Sequence, residues 1–326
     1  MDSISDTEIR FRCLACGAVN AMEPSALACR GCGLRLVDAH GVFHLLDASS
    51  KAEERAFYDS AYAGSSGEPA KAPITSLREL WDRADAPQNQ LLYRVTGDLS
   101  GKKVLLIGNG ASRKELSFLE QRPLRLVYSD LSPNAGQAIQ KQLDFLPYQA
   151  VIRFAAIDAE NLPFEDASFD VVYGHAMVHH LPDVERFLRG VKRVLVPGGR
   201  AVFMDDAFSP VWHYSKQTWL KPLMKYSHRK TGISPEDYRF SMSGGFKESE
   251  LAAMMTGLGL QPFFQRACLL DYLWTRAAVK LLPRRLYTPL TSGLPMRALV
   301  RLDQALGRLS WYRGNQIRLV WGFSKN

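Results

Sequence analysis

The sequence predicts an α/β protein with a Rossmann-like parallel sheet, an N-terminal zinc ribbon and helical inserts that form a lid. Three observations support this prediction: a doubled cysteine motif near the start, apolar strands alternating with helical segments from Lys102 onward, and a glycine turn after the first of these strands. The 326 residues suffice for one large domain and a small one. No apolar run approaches the roughly 20 residues that span a bilayer.

Four of the five cysteines form a C-x2-C-x12-C-x2-C pattern, Cys13, Cys16, Cys29 and Cys32. A glycine follows each second cysteine and permits a tight turn whose amides point at the thiolates. Four thiolates without histidine are typical of a closed, tetrahedral, structural Zn²⁺ site. Redox CxxC pairs or disulfides are the alternative. They are disfavoured because the polar start, MDSISDTEIRF, does not resemble a signal peptide and predicts a cytoplasmic protein.

The zinc ribbon is predicted to occupy residues 1–47 and to end in a closing strand, GVFHLL. Its few apolar residues predict that it folds only with its metal. Because four cysteines leave zinc no open position, the expected role of the ribbon is docking or substrate recognition. The fifth cysteine, Cys268, lies in an apolar run and is expected to be a core residue.

Residues 48–95 are predicted to be helical segments joined by a linker. The segment EERAFYDSAY has a helical pattern that places Tyr58 and Tyr62 on one face, four residues apart. The linker GSSGEPAKAP, residues 64–73, follows, and SLRELWDRADAPQNQLLYRV predicts a second helical passage.

Residues 96–326 are predicted to form the main domain. The predicted strands KKVLLIG, LRLVYSD, AVIRFAAID, FDVVYGH and GRAVFMDD alternate with helical segments, which favours a parallel sheet covered on both faces. Ligands of such sheets bind beyond the carboxyl ends of the strands. A polar residue ends each strand: Asn109, Asp130, Asp158, His175 and Asp205.

The glycine turn GNG places Gly108 and Gly110 after the first strand, and Asp130 lies 20 residues beyond Gly110. A carboxylate at that position can accept hydrogen bonds from both ribose hydroxyls of an adenosine. NAD would satisfy this pattern equally well, so the turn and Asp130 do not by themselves identify the cofactor.

The stretch from Asp158 to Asp206 resembles the class I S-adenosylmethionine-dependent methyltransferases, in the small-molecule branch. The matching segments, in order, are IDAENLPF, SFDVV, VHHLPD and RVLVPGGR. FYDSAY resembles the aromatic segment that closes over the cofactor in that branch. FKESELAAMMTGLGLQPFF and NQIRLVWGFSK resemble the last helix and the sixth and seventh strands of the sheet.

This resemblance implies S-adenosyl-L-methionine as cofactor and assigns residues to it. The glycine turn would meet the methionyl part, Asp130 with Leu131 the ribose, and Asp158 with Ala159 the adenine. The implied cofactor residues are Tyr58, Tyr62, Gly108, Asn109, Gly110, Asp130, Leu131, Asp158, Ala159 and His175. Two positions depart from the family pattern: Leu106 stands where an acidic residue is usual, and Ser112 where glycine is usual.

Histidines after the fourth strand are the candidates for catalysis. A hydroxyl acceptor must lose its proton during methyl transfer, and histidine suits that task at neutral pH. His179 matches the catalytic histidine of some O-methyltransferases, with His180 beside it. The alternative is that VHHLPD only packs and caps the next helix. The sequence lacks an Asn/Asp-Pro-Pro-aromatic motif after the fourth strand, which argues against adenine amino methylation, and it has no Pro-Cys pair for C5 methylation of pyrimidines.

Two predicted inserts, 209–244 and 271–314, account for the excess of positive over negative charge. Residues 210–232 hold five basic and no acidic residues, and 271–314 hold eight against two, in a chain of net charge +8. In the second insert Leu299, Leu302, Leu306 and Leu309 recur at helical spacing. A lid over the acceptor pocket, a basic amphipathic helix on a membrane surface, and an RNA contact all fit this pattern.

The function expected from these features is methyl transfer to an oxygen or nitrogen of a small or lipid-linked metabolite. The alternatives are an rRNA or tRNA methyltransferase that recognises RNA through the ribbon and the basic inserts, and a non-catalytic scaffold with this fold. The missing acidic residue at Leu106 motivates the scaffold alternative.

Overall fold

The computed structural model describes residues 8–23, 26–38, 40–47, 51–63, 87–112, 114–143, 151–218, 245–270, 273–274, 286 and 293–326. The predicted linker at 64–73, most of the first predicted insert and part of the second lie outside these residues. In the described part, no helix is both long and apolar enough to cross a membrane.

The described strands are β1 (Arg10–Arg12), β2 (Val19–Ala21), β3 (Val42–Leu45), β4 (Lys103–Ile107), β5 (Arg125–Asp130), β6 (Ile152–Ile157), β7 (Phe169–His175), β8 (Leu195–Asp206), β9 (Gln261–Ala267) and β10 (Arg318–Ser324). The α-helices are α1 (Ala52–Ala63), α2 (Pro87–Thr96), α3 (Pro133–Leu143), α4 (Val184–Val194), α5 (Pro210–Gln217), α6 (Glu248–Gly257), α7 (Gly293–Leu306) and α8 (Ser310–Asn315). Two 3-10 helices span Lys114–Gln121 and Val178–His180.

The main sheet has the order β3-β6-β5-β4-β7-β8-β10-β9. The strands from β3 to β8 are parallel, and β10 runs antiparallel to both of its neighbours, β8 and β9. The α/β fold with a Rossmann-like, mostly parallel sheet that the sequence predicted is confirmed, with β3 as an eighth strand. Because β4 lies between β5 and β7, the glycine turn at its end stands at the centre of the sheet edge.

The strands and helices of the main domain follow from the apolar pattern. All six residues of β6 are buried, as expected for a parallel strand covered on both faces. Helix α4 buries Val184, Phe187, Leu188, Val191 and Val194, and the side chain of Asp183 caps it by accepting a hydrogen bond from the backbone N–H of Arg186. The segment after β4 forms the 3-10 helix Lys114–Gln121 and not an α-helix like α4.

The ribbon region is built into the main domain. Strands β1 and β2 form a hairpin, and β3 pairs in parallel with β6 while Phe43 also forms a bridge with Val37. The predicted strand GVFHLL therefore closes the ribbon and extends the main sheet. The ribbon residues Phe11, Met22 and Leu36 lie in the same hydrophobic core as residues of β6 and β7.

The predicted inserts are described only in part. Residues 219–244 lie outside the described residues, as do most of 271–292, so the expected lid over the acceptor pocket stays a prediction. Helix α5 begins the first insert, and α7 with α8 ends the second. Cys268, expected in the core, is buried.

Candidate active site

A cleft at the carboxyl edge of the sheet collects most of the residues that the sequence assigned to a cofactor. It lies between α1 and the ends of β4, β5, β6 and β7. Seven of the assigned residues line it: Tyr58, Tyr62, Gly108, Asp130, Leu131, Asp158 and Ala159. Lys51, Glu54, Met177 and His180 also line it.

The two glycines of the turn after β4 have no room for a side chain. Gly108 and Gly110 have positive φ values of 63° and 56°, which favour glycine. A Cβ on Gly108 would lie 2.7 Å from Cβ of Met177, and a Cβ on Gly110 would lie 2.5 Å from the Tyr62 hydroxyl. The amide of Asn109 between them is buried, and its atoms have no hydrogen-bond partner among the described residues. A bound polar group would satisfy this amide.

Asp130, at the end of β5, ties the turn to the neighbouring strand. Its Oδ2 accepts a hydrogen bond from the backbone N–H of Gly110 at 2.8 Å, and its Oδ1 accepts from that of Ser132 at 3.0 Å. Burial raises the pKa of Asp130 to about 6, although the backbone hydrogen bonds of Ser132 and Gly110 oppose this shift. Asp130 lines the cleft, where ribose hydroxyls would be able to donate hydrogen bonds to its carboxylate.

Asp158, at the end of β6, meets a lysine that the sequence did not suggest. The ammonium of Lys51 lies 3.3 Å from Oδ1 of Asp158 and 2.5 Å from Oε2 of Glu160. Burial opposes the charge of Lys51, but the hydrogen bond to Glu160 and the charge of Asp158 outweigh burial and raise the lysine pKa. This ion pair joins the start of α1 to the predicted adenine loop.

Helix α1 covers the cleft from the other side. The hydroxyl of Tyr58 lies 3.2 Å from Nδ1 of His180, and the ring of Tyr58 stacks on that of Tyr62 at 6.3 Å between centroids. Asn134, on α3, donates a hydrogen bond from its amide to the carbonyl of Asp59. The two tyrosines of the segment FYDSAY thus line the cleft, and closure of this segment over a cofactor stays a prediction.

A buried carboxylate, Glu115, supports the loop that departs from the family pattern. Ser112, which stands at the usual glycine position, donates a hydrogen bond from Oγ to Oε2 of Glu115 at 2.6 Å. Oε1 of Glu115 lies 3.6 Å from both Nζ of Lys114 and Nδ1 of His175. Burial works against the charge of Glu115, but the contacts with His175 and Lys114 outweigh it and lower the pKa of Glu115.

Glu115 therefore places a negative charge next to the turn, although Leu106 itself is apolar and buried. His175, assigned to the cofactor from the sequence, contacts Lys114 and Glu115 and is not among the residues that line the cleft. A cue for Glu115 existed in the sequence, since it follows Ser112 at the three-residue spacing typical of a capping pair.

His179 forms a dyad with a buried aspartate, Asp205. Its Nδ1 lies 2.8 Å from Oδ1 of Asp205, and the indole N–H of Trp321 donates to Oδ2 of Asp205 at 3.3 Å. Asp205 is fully buried at the end of β8, opposite Leu319 of β10. Nε2 of His179 has no hydrogen-bond partner among the described residues. An imidazole held through Nδ1 in this way presents Nε2 as a proton acceptor.

The dyad adjoins the cleft through His180. The rings of His179 and His180 lie 4.2 Å apart, and His180 lines the cleft. The sequence identified both histidines, and it placed Asp205 at a strand end, but it did not pair Asp205 with His179.

The four cysteines of the ribbon come together as their spacing predicted. The sulfur atoms of Cys13, Cys16, Cys29 and Cys32 all lie within 4.8 Å of one another. The backbone N–H of Gly31 donates to the sulfur of Cys29 at 3.3 Å, and the amide of Asn20 donates to it at 3.5 Å. Backbone hydrogen bonds lower the pKa of Cys29 to about 6. Four sulfur ligands in this arrangement fit a tetrahedral Zn²⁺.

A family model described as a methyltransferase domain matches residues 105–203. The chain is 37% identical over 160 residues to the "Probable phthiotriol/phenolphthiotriol dimycocerosates methyltransferase 2" of Mycobacterium ulcerans. The aligned residues cover 47% of this chain and 57% of that protein. It is 41% identical over 140 residues to the phthiotriol/phenolphthiotriol dimycocerosates methyltransferase of Mycobacterium tuberculosis, covering 41% of this chain and 49% of the relative. The chain thus spans about half the length of the curated relatives it matches.

Two solved structures share the fold. The cyclase SpnF superposes with a TM-score of 0.53 at 15% identity, covering 83% of this chain and 94% of that one. A chain of the Haloferax volcanii complex between the Trm112 methyltransferase activator and a methyltransferase superposes with a TM-score of 0.52 at 18% identity, covering 82% and 98%.

Proposed function

We propose that this chain, which contains a class I S-adenosylmethionine-dependent methyltransferase domain, transfers a methyl group to a hydroxyl oxygen of a small or lipid-linked metabolite. The observation that carries this proposal is the dyad of His179 and buried Asp205 at the edge of the cleft. A hydroxyl must lose its proton to become a good nucleophile, whereas a neutral amine attacks without prior deprotonation. The dyad therefore favours oxygen over nitrogen as the accepting atom.

S-adenosyl-L-methionine, when bound, would supply the methyl group: the acceptor oxygen would bond to the methyl carbon as the carbon–sulfur bond breaks, and S-adenosylhomocysteine would leave. Asp130 and Asp158 would hold the two ends of its adenosine, and the turn at Gly108–Gly110 would let the backbone approach its methionyl part. Tyr58 and Tyr62 cover the cleft and exclude water. His179 takes the acceptor proton at Nε2, and Asp205 stabilises the resulting imidazolium.

The chemistry of the acceptor is inferred from the relatives. Both mycobacterial relatives named above are methyltransferases of phthiotriol lipids. An acceptor with a hydroxyl group on an apolar body matches the dyad and the relatives' names. The predicted lid formed by the two inserts would enclose such a body.

The four-cysteine cluster is proposed to hold one structural Zn²⁺ in the ribbon, residues 1–47. Residues 48–95 would close over the cofactor, and 96–326 would form the methyltransferase domain. Four free thiols support a cytoplasmic location, because a reducing compartment keeps them available to the metal.

Methylation of rRNA or tRNA is the second candidate, favoured by exposed arginines on α7 and α8 and by the ribbon. RNA binding of this kind would weaken steeply as salt rises, because arginine contacts to phosphates release counterions. A filter-binding titration of the full chain with total RNA at increasing salt separates the two candidates.

The test of the proposed function combines calorimetry with a transfer assay. S-adenosylhomocysteine is expected to bind the full chain, and radiolabelled methyl groups are expected to pass to hydroxylated lipids rather than to amines or RNA. Preferential binding of NAD would overturn the assignment of the cofactor. If neither ligand binds, the non-catalytic scaffold becomes the better explanation.

A further inference from the structure

Helices α7 and α8 expose large apolar side chains to solvent. The exposed fractions are 49% for Leu302, 58% for Leu309 and 70% for Trp311. Leucines at helical spacing would ordinarily pack against another part of the protein. Among the residues of α7 whose side chains are described, however, only Asp303 is buried. Leu302, Leu309 and Trp311 lie within ten positions of the chain, and large exposed apolar side chains that are grouped in this way are candidates for an interaction surface.

Hydrogen bonds hold α8 in place beside α7. The carboxylate of Asp303 is buried and accepts from the backbone N–H groups of Leu269 at 3.1 Å and Leu270 at 2.9 Å. The Tyr312 hydroxyl donates to the same carboxylate and holds α8 against α7. The amide of Asn315 donates to the carbonyl of Trp311 at 3.0 Å, within α8. These bonds fix the backbone that carries the exposed residues Leu309 and Trp311, which precede buried Tyr312.

Arginines without acidic partners accompany the apolar residues. The side chains of Arg301, Arg308 and Arg313 are exposed, and none forms an ion pair with a carboxylate in the part of the chain that the structure describes. Solvated arginines next to exposed tryptophan and leucine are typical of segments that lie at a membrane surface, where the apolar groups enter and the cations meet phosphates. We call Leu302, Leu309, Trp311, Arg301, Arg308 and Arg313 the docking face.

The docking face adjoins the carboxyl edge of the sheet, where the dyad lies. Helix α8 leads directly into β10, whose first residue, Arg318, forms an ion pair with Asp206, the neighbour of Asp205. The side chain of Asn315 also accepts hydrogen bonds from Ser209 and Val211 at the start of α5. Helix α5 adds Tyr214, another exposed aromatic residue.

From these observations we infer that the docking face seats the protein on an anionic phospholipid bilayer. Leu302, Leu309 and Trp311 enter the interface, and the three arginines bind lipid phosphates. The inference rests on the proposed function in one respect: a lipid-linked acceptor resides in the membrane, so a seated protein meets it at the edge that carries the dyad. RNA is disfavoured as the occupant. Arginine contacts to RNA phosphates would leave the exposed leucines in water, whereas a bilayer would bury them.

The test is co-sedimentation of the full chain with vesicles of equal parts phosphatidylglycerol and phosphatidylcholine. The wild type is expected to bind these vesicles and to bind pure phosphatidylcholine more weakly. The double variant Leu309→Ser/Trp311→Ser should lose on the order of tenfold or more in partitioning, because two large apolar groups leave the interface. Leu27→Ser is the matched control, since Leu27 is equally exposed at 56% but lies in the ribbon, and this variant should bind like wild type.

A second variant, Arg308→Gln/Arg313→Gln, should weaken binding to the anionic vesicles and abolish the preference for them over phosphatidylcholine. Absence of vesicle binding, or equal binding by the wild type and Leu309→Ser/Trp311→Ser, overturns the inference. Binding to total RNA that both double variants lose would identify RNA as the occupant and also overturn it. Calorimetry of the same wild-type protein with S-adenosylhomocysteine separates this inference from the proposed function. A protein that binds vesicles but not S-adenosylhomocysteine would refute the proposed function and leave the membrane inference standing.

Discussion

Nδ1 of His179 lies 2.8 Å from Oδ1 of Asp205, a carboxylate that is fully buried at the end of β8. The indole of Trp321, from the last strand of the sheet, donates to the second oxygen of the same carboxylate. Three distant parts of the chain thus fix the orientation of one imidazole, which is the requirement for a positioned base.

Replacing His179 with Gln is expected to lower turnover about a hundredfold or more, because the acceptor proton loses its base. Asp205→Asn should also lower turnover, since the imidazolium loses its stabilising charge. Both variants should bind S-adenosylhomocysteine like wild type in calorimetry. His44→Gln, in the ribbon, is the control and should keep full turnover. A large loss of cofactor affinity in His179→Gln would contradict the proposed division of roles.

Cofactor affinity is expected to fall below pH 6, because ionised Asp130 is the better acceptor for ribose hydroxyls and burial raises its pKa to about 6. From pH 7 to pH 5 the loss should be about tenfold for one group. The stability of the free protein should move in the opposite direction. The folded protein binds the Asp130 proton more tightly than the unfolded chain, whose Asp130 has a pKa of 3.8. The stabilisation that this proton gives is complete below pH 3.8 and is lost as pH rises through about 6.

Calorimetry and thermal melting at pH 5 and pH 7 measure these two trends. Asp130→Ala is the control: it should weaken S-adenosylhomocysteine by roughly 1.5–3 kcal/mol at pH 7 and should lose most of both pH dependences. A wild-type affinity that does not change between pH 5 and pH 7 would count against Asp130 as the ribose ligand.

Glu115→Ala is expected to lower the free energy of unfolding by about 3 kcal/mol, because it leaves the partly buried ammonium of Lys114 without its carboxylate partner. It should also weaken S-adenosylhomocysteine, since Ser112 loses the acceptor that orders the glycine turn. Denaturant unfolding and calorimetry measure both effects. Glu120, on the same 3-10 helix, is exposed, so Glu120→Ala should change neither quantity. Equal behaviour of the two alanine variants would mean that Glu115 does not support the turn.

The purified protein is expected to carry one Zn²⁺ per chain, and Cys29→Ser should release it. The effect should extend beyond the ribbon. Backbone hydrogen bonds run from Arg12 to Pro163 and from Glu165 to Arg10, so the ribbon holds the segment that follows Asp158. Metal analysis, melting temperature and S-adenosylhomocysteine affinity should all fall in this variant. Cys268→Ala should retain its zinc, because Cys268 lies outside the cluster. A zinc-free wild type with reactive thiols would refute the metal site.

The sequence by itself determined the elements whose signals are local. Apolar runs that alternate with helical segments predicted strands β4 to β8 and their parallel direction, because a parallel strand covered on both faces needs a continuous apolar run. The cysteine spacing brought four sulfurs together, since a doubled C-x2-C motif closes within each knuckle. The glycine turn, Asp130 and Asp158 reached the cleft because parallel strands end at one edge of the sheet.

Tertiary structure alone decided the partners that are far apart in sequence. The sequence showed Asp205 as a polar residue at the end of a strand. Its contact with His179 depends on the placement of β8 beside β7. Its hydrogen bond with Trp321 depends on the position of β10 between β8 and β9. Likewise Lys51 reaches Asp158 only because α1 folds over the cleft, and β3 joins β6 only because that edge of the sheet is open. Contacts across a sheet depend on strand order, which hydrophobic periodicity does not encode.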